Sequence, residues 1–364
     1  MVGILTFHKA INYGAVLQAY ALRSAVESFG YDCSVINYAG RKMLAESKTF
    51  YIPKNSAPKD KLVSVFRLPM RAKTVRKFNN FQSKYLNLSG EMLTTAEQLQ
   101  VLSKKFNKII TGSDQVFNYN GTGEDFNFYL EFENDCYKKI AYAPSFGMTE
   151  IDENHRDRVA TCLKQMNNLS VRESIGGDIV ETLLGERPKK ACDPTFLIPR
   201  EQWISMCKPI KIKKPYVLVY SFGSRHLESV AKKIADDIGG LVVNINRAIP
   251  SFNSKIKNAY APSPNQFLGL INNATAVVTN SFHGMALSVL LGKEFYGFKN
   301  SYTNSNATNS RFDFFINDLG LKDRIFNNID EFERKPIDYE LINKRVEELR
   351  QQGLEFLNNA LKDN

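Results

Sequence analysis

His283 is the residue of this chain with the clearest chemical potential, because it stands between a predicted strand and a predicted helix. The apolar run 274–278 stops at a short polar turn, and Gly284 opens a helix-like run. Helix N-termini at the carboxyl edge of a parallel sheet offer free N–H groups to anions. A histidine at such a point can bind an anionic substrate and exchange a proton with it. The alternative is that Asn280 or Ser281 caps the helix and His283 is incidental.

Four other predicted strands also end in polar residues. Those ends are His8 to Gly14, Gly112-Ser113-Asp114-Gln115, Arg172-Glu173-Ser174 and Ser221-Phe222-Gly223. Turn and capping chemistry is enough to explain any one of them. Five such ends in one chain predict the rim of a crevice between two domains, where ligands usually bind.

Each candidate side chain has a structural alternative. Asp114 could be a capping residue or part of an Asx-turn, and Asn12 could belong to a simple turn. Arg172 could form an ion pair with Glu173 or with another acid across the crevice. Because exposed pairs of that kind contribute little stability, an arginine at a strand end favours a functional role.

Several common catalytic motifs are absent from the sequence. It contains no G-x-G-x-x-G, no G-x-x-x-x-G-K-[ST], no G-x-S-x-G and no H-E-x-x-H. No Asp-x-Asp pair is available to hold a metal-bound nucleotide diphosphate, and the four histidines are far apart. These patterns predict a metal-free site, in which arginine and backbone N–H groups bind an anion.

The elements that must position these residues alternate between strand and helix. The chain opens with a predicted strand over residues 2–7, a helix over 15–29 and a strand over 33–38, which is a β-α-β start. The same alternation restarts after the proline-flanked, basic segment 208–215. We therefore expect an α/β protein with two doubly wound, Rossmann-like domains that face a central cleft.

The predicted domain boundaries follow from that linker. Residues 1–207 form the first domain and residues 216–335 the second, since 364 residues exceed what one core usually organises. The segment 336–364 carries apolar residues at helical spacing and is expected to form a final helix.

The net charge of +10 is concentrated in one segment of the first domain. Residues 41–77 contain eleven Lys or Arg against two acids, and apolar residues alternate with them. This mixture suits an anionic membrane surface, although a solvated basic loop is the alternative. No recognised nucleic-acid module accompanies it, so we expect no nucleic-acid partner.

Other features of the composition indicate a cytoplasmic protein. The five cysteines are scattered and form no C-x-x-C pair, which favours a reducing compartment. No apolar run approaches 18 residues, and the first residues enter a strand without the pattern of a secretory signal. A peripheral location at the inner face of the membrane would agree with the basic segment.

Six sequence blocks together resemble one enzyme family. They are NYGAVLQAYAL, TGSDQVFN, AYAPSFG, SVRESIG, DPTFLI and NSFHGMALSVLLG, in this order, and the resemblance runs from about residue 3 to residue 325. The chain resembles the polysaccharide pyruvyltransferases. Such enzymes transfer the enolpyruvyl carbons of phosphoenolpyruvate onto two hydroxyls of a sugar, which gives a pyruvate ketal and phosphate. The resemblance also implies the two-domain architecture known as GT-B, a final helix that crosses back onto the first domain, and no cofactor beyond the co-substrate.

The resemblance implies roles for the candidate residues. His283 would transfer a proton or bind the phosphate, and Asp114 would be the base for the attacking hydroxyl. The first domain would bind the acceptor sugar, free or lipid-linked, and the second domain would bind the donor. The residues assigned to the donor are Arg172, Asn280, Ser281, Gly284 and Arg311. Those assigned to the acceptor are His8, Asn12, Tyr13 and Gln115.

One position departs from the family pattern. Members often have Arg-Leu-His where this chain has Ser281-Phe282-His283, so an arginine that would hold the donor is replaced. Arg172 or Arg311 is expected to supply the missing cation, and Arg225 and Arg247 are weaker candidates.

Two other functions fit the same scaffold, because a fold does not determine a function. One is a nucleotide-sugar glycosyltransferase or epimerase, which a uridine nucleotide should protect thermally. The other is a non-catalytic glycan-binding protein, which would release no phosphate from phosphoenolpyruvate.

Overall fold

Two parallel β-sheets form the framework of the protein. The computed structural model describes residues 1–51, 64, 66–222, 226–245, 253–299 and 310–362. Each sheet has six strands, and helices cover the faces of both. The expected α/β fold with two Rossmann-like units is therefore confirmed.

The first sheet has the strand order β2-β1-β3-β4-β5-β6. Its strands, in chain order, are β1 (Val2–Leu5), β2 (Cys33–Val35), β3 (Lys108–Thr111), β4 (Lys139–Ala141), β5 (Asn168–Val171) and β6 (Lys189–Lys190). β1 pairs in parallel with both β2 and β3. The order therefore reverses between β1 and β3, which is the switch point where such sheets bind ligands.

The second sheet has the strand order β12-β11-β10-β7-β8-β9. Its strands are β7 (Tyr216–Tyr220), β8 (Leu241–Ile245), β9 (Ile256–Ala259), β10 (Ala276–Thr279), β11 (Glu294–Phe298) and β12 (Ile325–Phe326). β7 and β10 pair in parallel and form the switch point of this sheet.

Twelve α-helices are present in the described part of the chain. The first six are α1 (Tyr13–Ser28), α2 (Arg41–Ser47), α3 (Leu68–Tyr85), α4 (Ala96–Ser103), α5 (Tyr119–Thr122) and α6 (Glu153–Lys164). The others are α7 (Ser174–Leu184), α8 (Arg200–Met206), α9 (Leu227–Asp237), α10 (Pro264–Asn273), α11 (Phe282–Leu290) and α12 (Tyr339–Lys362). None of these helices is both long and apolar enough to cross a bilayer.

Short elements account for the differences from the predicted secondary structure. The edge strands β6, β9 and β12 are not predicted from the sequence, because they are only two to four residues long. The helix expected over 311–319 is instead a 3-10 turn at Ser310–Phe312 followed by a π-turn at Phe314–Asp318. The basic segment contains α2 and the start of α3, while residues 52–63 and 65 lie outside the described part.

The two sheets share one continuous apolar core. α1 starts this connection, because Tyr13 stacks on Phe267 of α10 with ring centroids 4.3 Å apart. Lys77 of α3 adds two hydrogen bonds to the second unit, from Nζ to the carbonyl of Ala261 and to Oε1 of Gln266, each 2.8 Å long. These contacts between the two units hold the two switch points in place relative to each other.

The final helix α12 packs on the first unit. Arg350 Nε donates to the carbonyl oxygen of Phe196 at 3.0 Å, and Cys192 Sγ lies 3.4 Å from the carbonyl oxygen of Leu349. Leu357 is fully buried on the same helix. The chain thus returns to its first sheet after completing the second.

Candidate active site

The polar residues at the two switch points face a common cleft. In the first sheet, residues 8–14 follow β1 and residues 112–115 follow β3. In the second sheet, Ser221 follows β7 and Asn280 follows β10. Because the carboxyl ends of parallel strands lie at one edge of a sheet, the topology brings these segments together from distant parts of the chain.

His283 lies in the first turn of α11 and contacts the first domain. Ser281 caps this helix, because its Oγ accepts a hydrogen bond of 3.3 Å from the backbone N–H of Gly284. The imidazole is buried, with 9% of the side chain exposed. A Cβ atom placed on Gly14 would stand only 2.1 Å from His283 Nδ1. The start of α1 and the start of α11 are therefore in direct contact across the cleft.

Asp193 links His283 to Arg172. Its Oδ2 lies 3.4 Å from His283 Nε2 and accepts a hydrogen bond of 3.0 Å from Arg172 Nη1. Its Oδ1 accepts from the backbone N–H and the hydroxyl of Thr195. Burial alone would raise the pKa of Asp193, but His283 and Arg172 hold it well below its ordinary range. The carboxylate is therefore a fixed negative charge beneath the site.

Arg172 is a buried cation that is held on several sides. Its Nε donates to Glu173 Oε1 at 2.7 Å, and its guanidinium lies 4.7 Å from the centre of the Phe282 ring. Burial opposes the charge of Arg172, but Glu173, Asp193 and Asp114 raise its pKa above the ordinary value. The side chain therefore stays protonated in a place that excludes water.

Arg311 supplies a second cation to the same place. Burial, followed by the charge of Arg172, lowers the pKa of Arg311, while Asp114 and Glu173 act in the opposite direction. Its Nη2 donates to the carbonyl oxygen of Asn280 at 3.4 Å. Its Nε is buried and has no hydrogen-bond partner among the described residues. Two neighbouring guanidinium groups form a site suited to an anion with several oxygens.

Asp114 faces these cations from the first domain. It is half-buried, has a φ of +66°, and accepts a hydrogen bond of 2.9 Å from the backbone N–H of Gln115 at its Oδ1. Its charge acts on Arg172, on Arg311 and on Tyr220. The arrangement combines a carboxylate, an imidazole and two guanidinium groups, which can move protons and bind an anion.

A family model for polysaccharide pyruvyl transferases matches residues 12–302, most of the chain. The chain belongs to this family. The match confirms the resemblance carried by the six sequence blocks. No curated protein matches the chain.

Solved structures of sugar-modifying enzymes resemble the whole chain at low sequence identity. A putative UDP-N-acetylglucosamine 2-epimerase from Listeria monocytogenes is 10% identical, with 98% of this chain and 87% of that chain covered and a TM-score of 0.49. The corresponding epimerase of Methanocaldococcus jannaschii is 11% identical over 100% and 99% of the two chains, with a TM-score of 0.47. Heptosyltransferase II of E. coli is 11% identical over 99% and 98%, with a TM-score of 0.40.

Two residues that sequence analysis assigned to the acceptor of this pyruvyl transferase are placed elsewhere. His8 is fully buried between Asn37 Oδ1 and the carbonyl oxygen of Thr6, and burial lowers its pKa to about 4. Tyr13 is also buried, stacks on Phe267 and donates its hydroxyl to the carbonyl oxygen of Pro262 at 2.9 Å. The structure gives both residues packing contacts, so neither is placed to meet an acceptor.

Three residues assigned to the donor instead build the turn that carries His283. Asn280 bridges to the backbone of Phe222, with its Oδ1 accepting at 2.9 Å and its Nδ2 donating at 3.1 Å. Ser281 is the cap of α11. A Cβ on Gly284 would stand 2.6 Å from Thr279 Oγ1, so glycine is required there by packing. Their described contacts are structural.

The other assigned residues remain at the rim of the cleft. Asn12 caps α1 by accepting at its Oδ1 from the N–H of Gly14 at 2.9 Å. Gln115 accepts at Oε1 from Asn118 Nδ2 at 3.3 Å. The weaker candidates Arg225 and Arg247 lie outside the described residues.

Asp193 is the main site residue that the sequence did not single out. It belongs to the DPTFLI block, but its partners Arg172 and His283 stand in other elements. Two features of the sequence could have indicated it. Asp193 is an acid directly before Pro194, a position typical of a helical cap, and it belongs to one of the six blocks that resemble the family. Across the described residues, no group of three or more His, Cys, Asp or Glu is placed to hold a metal ion.

Proposed function

We propose that this pyruvyl transferase moves the enolpyruvyl carbons of phosphoenolpyruvate onto two hydroxyls of a sugar in a polysaccharide precursor. The products are a cyclic pyruvate ketal and inorganic phosphate. The observation that carries the proposal is the convergence of Arg172, Arg311 and His283 at one buried place. Phosphoenolpyruvate carries a carboxylate and a phosphate on the same carbon atom, so it needs several donors and more than one cation.

Arg311 is the cation that replaces the arginine expected at position 281. Its guanidinium reaches the carbonyl oxygen of Asn280, the residue next to Ser281. Its buried Nε has no hydrogen-bond partner within the described ranges, and we assign this donor to a ligand oxygen. Arg172 donates from Nε and Nη1 to Glu173 and Asp193, so its charge is largely offset within the protein and Arg311 is the main cation for the anion.

The proposed reaction needs two proton movements and no redox change. The methylene carbon of phosphoenolpyruvate gains a proton and becomes the methyl group, while one sugar hydroxyl forms a C–O bond to the neighbouring carbon. Phosphate then leaves with the C–O bond electrons, and the second hydroxyl attacks the oxocarbenium centre. One of the two hydroxyl protons accounts for the new methyl group, and the other leaves with phosphate or solvent.

The charged residues have complementary roles in this scheme. His283 gives the proton to the methylene carbon or to the departing phosphate, and Asp193 holds the imidazole from below at 3.4 Å. Asp114 accepts the proton of the attacking hydroxyl, and Asn12 hydrogen-bonds the acceptor. The acidic and basic functions thus come from opposite domains, with the reacting carbon between them.

Phosphate release that depends on phosphoenolpyruvate and on a sugar is the direct test. The acceptors are a panel of free, nucleotide-linked and lipid-linked sugars, and we expect phosphate to be released from phosphoenolpyruvate with at least one of them. His283→Ala should lower this rate at least about a hundredfold. His155→Ala is the matched control, because that histidine stacks on Tyr119 in the first unit. An unchanged rate in His283→Ala would show that the assignment is wrong.

The same panel separates the alternative functions. A nucleotide-sugar enzyme would gain thermal stability from a uridine nucleotide and none from phosphoenolpyruvate. A glycan-binding protein would bind sugars without releasing phosphate. For the proposed enzyme, phosphoenolpyruvate alone should raise the unfolding temperature, because it binds only the folded state.

We propose a cytoplasmic protein with peripheral contact at the inner face of the membrane. Phe50 and Phe66 are 65% and 77% exposed, and Lys73 and Arg76 are exposed on α3 near them in sequence. Charge reversal of Lys73 and Arg76 should weaken binding to vesicles that contain anionic lipid. Lys77 is unsuited to this test, because its hydrogen bonds connect α3 to the second unit.

A further inference from the structure

The segment that carries Asp193 is a short turn packed against the last helix. Asp193 caps the 3-10 turn Pro194–Phe196, because its Oδ1 accepts hydrogen bonds from the backbone N–H and the hydroxyl of Thr195, at 3.0 and 2.9 Å. Its Oδ2 faces Arg172 and His283. The contacts that hold this turn therefore also set the position of the carboxylate in the candidate active site.

Arg350 of α12 holds the far end of the turn. Its Nε donates to the carbonyl oxygen of Phe196 at 3.0 Å, and its Nη2 donates to the carbonyl oxygen of Ile198 at 3.4 Å. Its Nη1 pairs with Glu347 on the helix itself, which orients the guanidinium on α12. Hydrogen bonds from a cation are stronger than those between neutral groups. Arg350 therefore connects the end of the turn firmly to the last helix.

The residue before Asp193 is held by the same helix. The thiol of Cys192 donates to the carbonyl oxygen of Leu349, the neighbour of Arg350, at 3.4 Å. The carbonyl oxygen of Cys192 accepts a hydrogen bond of 3.2 Å from the hydroxyl of Tyr142, and both residues are buried. Two consecutive residues of α12 thus contact the chain on both sides of Asp193.

Gly353 allows α12 to approach this segment closely. A Cβ atom at Gly353 would stand 2.6 Å from Tyr142 Oη and 3.1 Å from Cys192 Sγ. Glycine inside a helix is less stable than alanine, and the close approach accounts for its presence in α12. The position of the helix is therefore determined by direct contact with the segment that carries Asp193.

We propose that α12 is a positioning element of the active site, in which Arg350 fixes Asp193 beneath His283 through the turn. For its effect on rate, the inference rests on the proposed pyruvyl transfer. A displaced turn would move Asp193 Oδ2 from its place 3.4 Å from His283 Nε2. Misplacing a reacting group by about 1 Å can lower a rate about a hundredfold. Arg350 is a positioning residue, because it acts on the imidazole through the turn and Asp193.

The position of Asp193 determines which nitrogen of His283 carries the proton. The ion pair with Arg172 keeps the carboxylate charged, so the Nε2 that faces it is the protonated nitrogen of the neutral ring. Nδ1 keeps its lone pair and lies on the side of Gly14, where an added Cβ atom would stand 2.1 Å away. A displaced carboxylate would no longer select one of the two tautomers.

The tautomer provides a test that needs no substrate. Full-length proteins with isotope-labelled histidine are compared by nitrogen NMR at about pH 8.5, where an ordinary imidazole is neutral, and His283→Gln identifies the resonances. We expect a protonated Nε2 and an unprotonated Nδ1 in the wild type. In Arg350→Gln the two nitrogen shifts should move toward each other, and Arg350→Lys should lie between the two proteins. Unchanged shifts in Arg350→Gln would overturn the inference.

Rate measurements test the same connection during the reaction. Arg350→Gln should lower kcat for phosphate release about tenfold or more. It should leave KM for phosphoenolpyruvate unchanged within about twofold, because the donor is held mainly by Arg311, which belongs to a different turn. A raised KM with an unchanged kcat would contradict the positioning role.

Two further variants of α12 serve as control and as independent check. Lys344→Gln is the matched control, since Lys344 is an exposed cation of the same helix and should leave kcat and KM unchanged. Gly353→Ala keeps the Arg350 side chain but pushes the helix away from Cys192, so it should lower kcat in the same way. Equal kcat in Gly353→Ala and Lys344→Gln would count against the inference.

A double-mutant cycle shows whether Arg350 acts through Asp193. In the Asp193→Asn background, Arg350→Gln should lower kcat by less than about twofold, because the contact that it positions is already lost. Losses that multiply would show that Arg350 acts by another route. If the wild type releases no phosphate with any sugar, the proposed reaction is wrong, whereas the tautomer comparison still decides the role of Arg350.

Discussion

The Asp193 side chain connects the two groups that the proposed chemistry needs. It is fully buried and touches both Arg172 and His283. Buried charges are stable only when they are paired and hydrogen-bonded, and Asp193 meets that condition through Thr195 as well. A neutral residue at this position would leave the Arg172 charge compensated by Glu173 alone among its hydrogen-bond partners.

We therefore predict that Asp193→Asn lowers the free energy of unfolding by about 3 kcal/mol, the cost of breaking a buried ion pair. Urea denaturation followed by circular dichroism measures the change. Asp178→Asn is the control, because Asp178 pairs with Arg187 at the surface with 62% of its side chain exposed. That exposed pair should contribute less than about 1 kcal/mol. Similar losses in both variants would contradict the prediction.

His8 makes stability depend on pH. Burial lowers its pKa to about 4, so the unfolded chain takes up a proton at a higher pH than the folded protein does. Its contribution is complete above pH 6.5 and is lost as the pH falls toward 4. Between pH 7 and pH 4 the wild type should lose about 3 kcal/mol more than His8→Gln. Equal slopes of unfolding free energy against pH in the two proteins would exclude this role.

The local rule applied to the sequence predicts where strands end in polar residues, and it misses contacts between distant elements. Polar residues after apolar runs correctly marked the strand ends, because a strand that leaves the core must end in residues that tolerate water. The rule does not say which way a side chain turns, and His8 turns inward to Asn37. The rule also does not identify Asp193, because its partners Arg172 and His283 belong to other elements.

At the scale of elements, the start of α1 and the start of α11 form the contact that places His283. Both helices begin with a polar cap, Asn12 and Ser281, whose side chain accepts from the backbone of the first turn. The alternation between apolar strands and capped helices can be predicted from the sequence. The contact between the two helix starts cannot be predicted from it, because that contact depends on how the two sheets pack.

We predict that Gly14→Ala lowers the rate of phosphate release roughly a hundredfold, because the added methyl group would stand 2.1 Å from His283 Nδ1 and must displace the ring. Gly176→Ala in α7 is the control, since its methyl group would lie 3.2 Å from Phe146 Cδ2, away from the imidazole. Phosphate release with saturating phosphoenolpyruvate measures both. A Gly14→Ala enzyme as fast as the control would show that His283 tolerates displacement.

At the scale of the molecule, the two units share one apolar core, and α12 returns to the first sheet after the second is complete. The stack of Tyr13 on Phe267 and the two hydrogen bonds of Lys77 connect the first unit with α10. The linker over 208–215 predicts two domains with a cleft between them. Long-range packing of this kind leaves no local signal in the sequence.

Unfolding should therefore be cooperative across the whole chain, and a substitution in the last helix should shift it everywhere. Trp203 is the single tryptophan and is fully buried in α8, so its fluorescence reports on the first unit, while circular dichroism reports on both.

Leu357→Ala removes a fully buried side chain of α12 and should lower the unfolding free energy by about 2–5 kcal/mol, as measured by both signals. Leu341→Ala on the same helix is the control, because Leu341 is 46% exposed and should change stability by less than about 1 kcal/mol. Two separate transitions, or a shift in only one signal, would mean that the units unfold independently and that α12 stabilises one of them alone.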